Sequence, residues 1–270
     1  MMQEEKIRYY LVDGIRGIAI INMVLFHFLY DVFMVYKKYP TWYSLPAIHI
    51  WQQMICRTFI FISGFVWTWG KTKNLQRGVI FNLFGLLISF ITSVFIPAQA
   101  IWFGILNFMG CAILLLLPLE KLLKKIPAAC GMAVCFLLFL LCKQIQYGQI
   151  GFCGFVQIQV PDLLYGIKIL TPLGFPYAGF YSSDYFPLLP WICLYLCGFY
   201  FHQVFMEHAA WQKCARRRLP CLSVLGSKTI WIYLFHQPCC MLACLLIFAS
   251  DNIAYFSGCR EAFSCTSVSR

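Results

Sequence analysis

The chain has 270 residues, of which 61% are hydrophobic, 18% aromatic and 11% charged, with a formal net charge of +11. Soluble domains carry about 25% charged residues, so this composition excludes an ordinary soluble protein and indicates an all-α bundle that crosses a membrane repeatedly. Little remains once the apolar runs are removed, so residues 1–250 are expected to form a single membrane-embedded domain, followed by a loose polar tail at 251–270.

Seven apolar segments reach membrane length, at about 11–36, 47–70, 78–97, 99–118, 127–143, 187–206 and 229–249. The first, within RYYLVDGIRGIAIINMVLFHFLYD (8–31), carries Asp13 and Arg16 near its entrance and His27 near its exit, and Asp31 closes it. An Asp or Arg at mid-bilayer costs at least about 2.5 to 3.5 kcal/mol on insertion scales, so such groups are read as functional or paired. Arg16 and His27 stand eleven positions apart, which puts them on one face and about 16 Å apart along the axis. Asp13 and Arg16 are three apart and can also simply pair with each other.

The second segment has His49 at its outer mouth and Arg57 about 12 to 15 Å inside. An arginine facing lipid there would be so costly that a cavity or a partner is expected. Asn107 stands early in the fourth segment. The connection at 144–186, rich in Gly, Pro, Tyr and Phe, has room for a short re-entrant or interfacial helix, tolerated only against protein or a wet cavity. A connection of that length commonly builds a binding site. Asp184 heads the sixth segment, as its cap or as a site residue. His236, in SKTIWIYLFHQP, is expected about 10 Å from the cytoplasmic end of the seventh span, in a structural or functional role.

Placing the N-terminus in the cytoplasm puts thirteen basic residues inside and six outside. That bias supports an N-in, C-out topology with an odd number of spans. It also accounts for the net charge as a topology device rather than a nucleic-acid surface, while Arg216, Arg217 and Arg218 can additionally touch anionic lipid or a phosphorylated cofactor. The fifteen cysteines include no C-x-x-C pair and mostly fall in apolar runs, where they act as small hydrophobes. No metal is expected. Cys153, Cys259 and Cys265, on the outer side, could supply one disulfide. The first apolar run is too long for a cleavable signal peptide and lacks a small-residue cleavage site.

Histidine is a natural general base at neutral pH, and an embedded arginine offers fixed donors for phosphate, carboxylate or a developing oxyanion. Together they suit acyl transfer better than redox or metal chemistry, although periodicity alone does not separate that from transport.

The opening DGIRGIAIINMVLFH (13–27) resembles the first helix of membrane acyltransferases, both the acyltransferase-3 family and the heparan-α-glucosaminide N-acetyltransferase-like family. Asp13, Arg16, Gly17 and Met23 match the "VD-x-x-RG-x-A-x-x-x-M" pattern of the latter, and Arg16 with His27 matches the former's spacing of ten residues between Arg and His. FIFISGF (59–65) resembles the end of the second helix in both. FGILNFMG (103–110), SSDYFPLLPW (182–191) and YLFHQP (233–238) resemble later landmarks, in the right order, from about residue 8 to 240. Two departures stand out: Asn107 replaces a histidine common among relatives, and the outer loop 37–48, where the lysosomal enzyme carries its catalytic histidine, has none. His49 is the nearest candidate, with His27 the acyltransferase-3-type alternative.

The resemblance implies an integral membrane acetyltransferase of a bacterial-type inner membrane. It would move an acetyl group from cytoplasmic acetyl-CoA to a hydroxyl or amine of a glycan or glycolipid on the outer side. Asp13, Arg16, Asn107 and His236 are expected to bind the donor. His27 or His49 would deprotonate the acceptor, Arg57 would stabilise the oxyanion and Asp184 would orient the acceptor. Membrane lipids are expected partners, and a homodimer is compatible with the sequence. The alternative function is a transporter or flippase of a small polar or lipid-linked solute, for which an inverted repeat would argue; none is visible. A purely structural scaffold fits poorly with so many embedded ionisable groups.

Overall fold

A computed structural model describes residues 8–152 and 156–248. The expected tail at 251–270 lies outside the described residues, as do Cys153, Cys259 and Cys265 with the disulfide considered for them. Six helical segments are long and apolar enough to cross a membrane: Tyr10–Val35, Thr68–Phe95, Ile105–Leu123, Ala128–Tyr147, Leu188–Glu207 and Thr229–Ile247. The segment expected as the second span forms helix α2 (Pro46–Val66), which has the length but falls outside that set. His49, Gln52, Gln53 and Arg57 give its first half a polar character.

The chain divides into two compact units, Met1–Cys56 with Ala215–Arg270, and Arg57–Cys214. In the first, α1 (Tyr10–Tyr30) runs on through a π-helical turn, Asp31–Val35, and is joined by α8 (Pro220–Ser227) and α9 (Thr229–Ile247). At about 1.5 Å per residue, the 21 residues of α1 span about 31 Å, a hydrocarbon thickness. Its glycines decide what it packs on. A Cβ on Gly17 would overlap the Leu222 carbonyl, and one on Gly226 would overlap the Asp13 carbonyl, so α1 and α8 meet backbone to backbone. The D-G-x-x-G spacing of the first helix is thus a packing device for α8. Arg218 bonds Tyr10, Leu222 abuts Gly17, His236 faces His27 and Phe248 faces Tyr36, so α1 and the α8–α9 pair run in the same direction.

The second unit contains the latter part of α2, then α3 (Asn74–Phe95), α4 (Ile105–Leu123), α5 (Ala128–Leu141), α6 (Leu188–Glu207) and the short α7 (Ala209–Ala215). Gly78, Asn82, Gly85 and Ser89 form a small and polar stripe on α3 that faces α4, where Asn107, Gly110 and Leu114 fill it. The opposite face of α3 shows Leu83, Leu87 and Val94 on the surface, as a lipid-facing helix should. Gly64 and Gly198 let α2 and α6 touch through their backbones, which explains the glycine of FIFISGF. The connection at 144–186 holds a hairpin of β1 (Gln149–Phe152) and β2 (Val156–Gln159), paired antiparallel from Gln149–Gln159 to Phe152–Val156. Two short 3-10 segments follow, Asp162–Gly166 and Lys168–Leu173. Each of the twelve described cysteines is free; Cys135, Cys193, Cys197, Cys240 and Cys244 are buried as expected, while Cys130 and Cys239 are exposed.

Candidate functional site

Within the first unit, polar groups gather at two levels of α1. At its entrance, Asp13 accepts from Arg8 at 2.8 to 2.9 Å and lies 3.6 Å from Arg16. The i,i+3 pairing considered from the sequence is therefore present, shared with a second arginine that precedes the helix.

Deeper in the unit, His27 of α1 and His236 of α9 stand with ring centroids 4.8 Å apart at 60°. His236 is 9% exposed, and its Nδ1 lies 2.6 Å from the Tyr233 carbonyl oxygen. A carbonyl has no proton to give, so the ring must donate through Nδ1. In the neutral imidazole that leaves Nε2 as a bare lone pair, and this atom is buried without a hydrogen-bond partner. Asp31 follows His27 by one turn and is 1% exposed. The side-chain amide of Gln237 donates to both of its oxygens, at 3.0 and 3.1 Å. Asp31 opens the π-helical turn, a form that recurs at functional sites. Four polar side chains from two apolar helices thus meet at one level. Such a group in a membrane-spanning segment is a functional-site candidate.

His236 lies about 10 Å along α9 from Thr229, as expected, and level with His27. The two rings share a level because α8 lies alongside the first turns of α1. From Pro220 to His236 is about 24 Å of helical rise, the same as from the start of the first helix to His27. His49, by contrast, is exposed in the first turn of α2. Asn22 and Trp51, bonded at 3.0 Å, tie that half of α2 to α1.

The second unit assembles a different group. Residues 182–186 clamp the entry to α4: Ser182 and Ser183 bond the backbone of Trp102, Gln99 and Ala100, and the Phe186 amide donates to the Phe103 carbonyl at 3.0 Å. Phe103 has φ +55°, a strained left-handed conformation for a bulky residue, which those bonds hold in place. Asp184 Oδ2 then accepts the Ile105 amide at 3.3 Å. Asp184 therefore caps α4, not the sixth span that follows it in sequence. Its carboxyl is enclosed although the residue is partly exposed, and that burial raises its pKa to about 6, against the lowering by the Ile105 bond. FGILNFMG and SSDYFPLLPW, far apart in sequence, are thus one structural element.

Asn107, in the first turn of α4, donates to the Asn82 carbonyl at 3.4 Å and is 6% exposed. Arg57 lies over the Phe139 ring at 5.8 Å, and its Nε is buried without an acceptor. Among the described residues no polar contact joins Arg57 to Asp184. Sequence reasoning did not single out His202, whose ring is packed among Phe65 and Trp69 with Nδ1 unpartnered. It also missed Glu120, held by Lys71 at 2.6 Å and Lys124 at 2.7 Å. The bond from Gln237 to Asp31 escaped it too, since an amide in an apolar run carries no charge signal.

Comparison with protein families matches residues 8–238 to the heparan-alpha-glucosaminide N-acetyltransferase, catalytic family. No curated protein and no solved structure matches the chain.

Proposed function

The chain belongs to the heparan-alpha-glucosaminide N-acetyltransferase catalytic family, and we propose that it moves an acetyl group from acetyl-CoA in the cytoplasm to a sugar hydroxyl or amine across the membrane. The family makes it an integral membrane acetyltransferase, and acetyl-CoA is the donor used in the family generally. The observation that carries the proposal is the pairing of His27 with His236 between two apolar helices, next to Asp31 and Gln237.

In this reading His27 is the base and His236 positions it. A small turn of the His27 ring would bring one of its N–H groups to the bare Nε2 of His236, leaving the other His27 nitrogen toward the acceptor as a lone pair. His27 removes the acceptor's proton as its oxygen or nitrogen attacks the thioester carbon. The tetrahedral intermediate then expels the CoA thiolate, which takes the proton back from His27. Donor binding is proposed for Asp13 and Arg16 at the entrance of α1. Arg57 is proposed as an oxyanion donor because a buried guanidinium nitrogen without an acceptor suits a charge that exists only during reaction. Asp184 is proposed to orient the acceptor. Asn107 keeps the donor role suggested by its place in the motif, beside its bond to Asn82.

The shared direction of α1 and α9 supports an odd number of crossings, and six apolar helices make an even one. We propose that α2 supplies the seventh, with the N-terminus in the cytoplasm of a bacterial-type inner membrane. Inside-out vesicles given labelled acetyl-CoA on their exposed, cytoplasmic face test direction and chemistry together. The account expects label covalently bound to a glycan or glycolipid in the lumen. Labelled acetyl-CoA accumulating intact in the lumen would instead identify a transporter.

A further inference from the structure

Beside the entrance of α1 lies an open cleft of about 400 Å³, lined by Arg8, Tyr10, Arg218, Pro220, Ser223, Val224 and Ser227. Its size is that of a small-molecule site, and among the described residues its lining contains two arginines and no acidic side chain. The two guanidinium groups flank the Tyr10 ring, Arg8 at 5.4 Å and Arg218 at 4.6 Å from its centre. Arg8 is committed to Asp13. Arg218 is not: it donates one hydrogen bond, from Nη2 to the Tyr10 hydroxyl at 3.0 Å, out of the five that a guanidinium offers. Among the described residues it has no ion pair, and neither do its neighbours Arg216 and Arg217. The floor is rigid, because Gly17 and Gly226 lock α8 against α1 and Ser223 bonds the Tyr10 carbonyl at 3.0 Å.

We propose that this cleft binds phosphate, with Arg218 as its principal donor, and that its occupant is the phosphorylated nucleotide end of the acyl-CoA. A planar fork of spare N–H groups matches phosphate oxygens two at a time. The site lies at the same end of α1 as Asp13 and Arg16, the end proposed for the donor, so the identity of the occupant rests on the acetyl-transfer reading. An anionic lipid headgroup would offer the same phosphate chemistry.

The full chain in phosphatidylcholine nanodiscs, as wild type, Arg218→Gln and Arg218→Lys, distinguishes these sources. Thermal stabilisation by adenosine 3′,5′-bisphosphate is expected in the wild type, and is to be lost in Arg218→Gln and partly kept in Arg218→Lys. The KM for acetyl-CoA is expected to rise about tenfold or more in Arg218→Gln, while that for S-acetylpantetheine, which lacks the nucleotide phosphates, changes less than about twofold, as loss of a charge-assisted bond to phosphate predicts. Equal changes for the two donors, or bisphosphate stabilisation that persists in Arg218→Gln, would overturn the site. Stabilisation that depends on Arg218 only when phosphatidylglycerol is added would overturn the nucleotide as occupant. Failure of acetyl transfer itself would look different: no turnover of either donor by the wild type, with the bisphosphate response intact.

Discussion

His27 and His236 face each other at 4.8 Å between ring centroids, and the His236 ring is pinned by its own helix through the Tyr233 carbonyl. One histidine is thereby a fixed acceptor and the other, partly exposed, is left to do chemistry. If His236 works only through that fixed tautomer, His236→Gln, which can restore an acceptor near Nε2, should retain more activity than His236→Ala. General acid–base contributions of about 10²- to 10⁴-fold set the scale of the loss in kcat, with KM for the donor little changed. A KM effect without a kcat effect would return His236 to a donor-binding role.

Asp31 and Gln237 form a buried polar pair in which the carboxyl takes both bonds from one amide. Gln237→Leu leaves that carboxyl without a donor and should destabilise the protein by about 1 to 3 kcal/mol. The double variant Asp31→Leu with Gln237→Leu should recover most of the loss, since neither polar group then remains unpaired. Thermal unfolding of the purified variants reads both effects. If the single variant melts with the wild type, the pair carries no structural weight.

The backbone contacts of α1 with α8 leave no space for a side chain. Gly17→Ala and Gly226→Ala should fail to yield folded protein, because the atom that must move is a backbone carbonyl in each case. Gly166→Ala, with nothing near the added carbon, is the matched control and should express as the wild type does. Fluorescence size-exclusion of detergent extracts separates the outcomes.

Burial raises Asp184 from an ordinary carboxyl value to about 6. The folded state thus holds this proton more tightly than the unfolded state. Stability should fall as pH rises from about 4 to about 6, where the unfolded chain has released the proton and the folded one has not. Asp184→Asn should remove that slope from melting temperatures recorded between pH 4 and 7. If the ionised carboxylate orients the acceptor, activity should also fall below about pH 6 in the wild type, and that limb should vanish in the variant. A wild-type melting profile flat across this window would contradict the assignment.

Arg57 separates function from packing. Its buried Nε has no acceptor, so Arg57→Met should leave melting unchanged or raised while lowering kcat by about 10²- to 10³-fold if it donates to an oxyanion. Lowered melting with normal kcat would make it a structural residue seated on Phe139.

Much of this architecture was legible in the sequence because membrane-spanning helices announce themselves by length and composition. The first helix and its Asp13–Arg16 pairing followed from charges that hydrocarbon does not tolerate singly. What could not be read was partnership. The eight residues of α8, which follow Arg216–Arg218 and precede the last apolar run, look like loop, yet the glycines pull them against α1 and set His236 level with His27. Asp184 was expected at the head of the sixth segment, as its cap or as a site residue, whereas its carboxyl crosses to the start of α4, a contact spanning 79 residues. Neutral polar residues such as Asn82 and Gln237 gave no periodic signal, although they join the helices.

The central claim is that the His27–His236 pair is the acid–base centre of acetyl transfer. It is tested most directly by the rate of acetyl transfer from labelled acetyl-CoA to glucosamine by purified wild type, His27→Ala and His49→Ala. The account predicts that His27→Ala loses at least about a hundredfold in kcat while His49→Ala stays within about threefold of the wild type. Wild-type turnover in His27→Ala, or a collapse confined to His49→Ala, would contradict it.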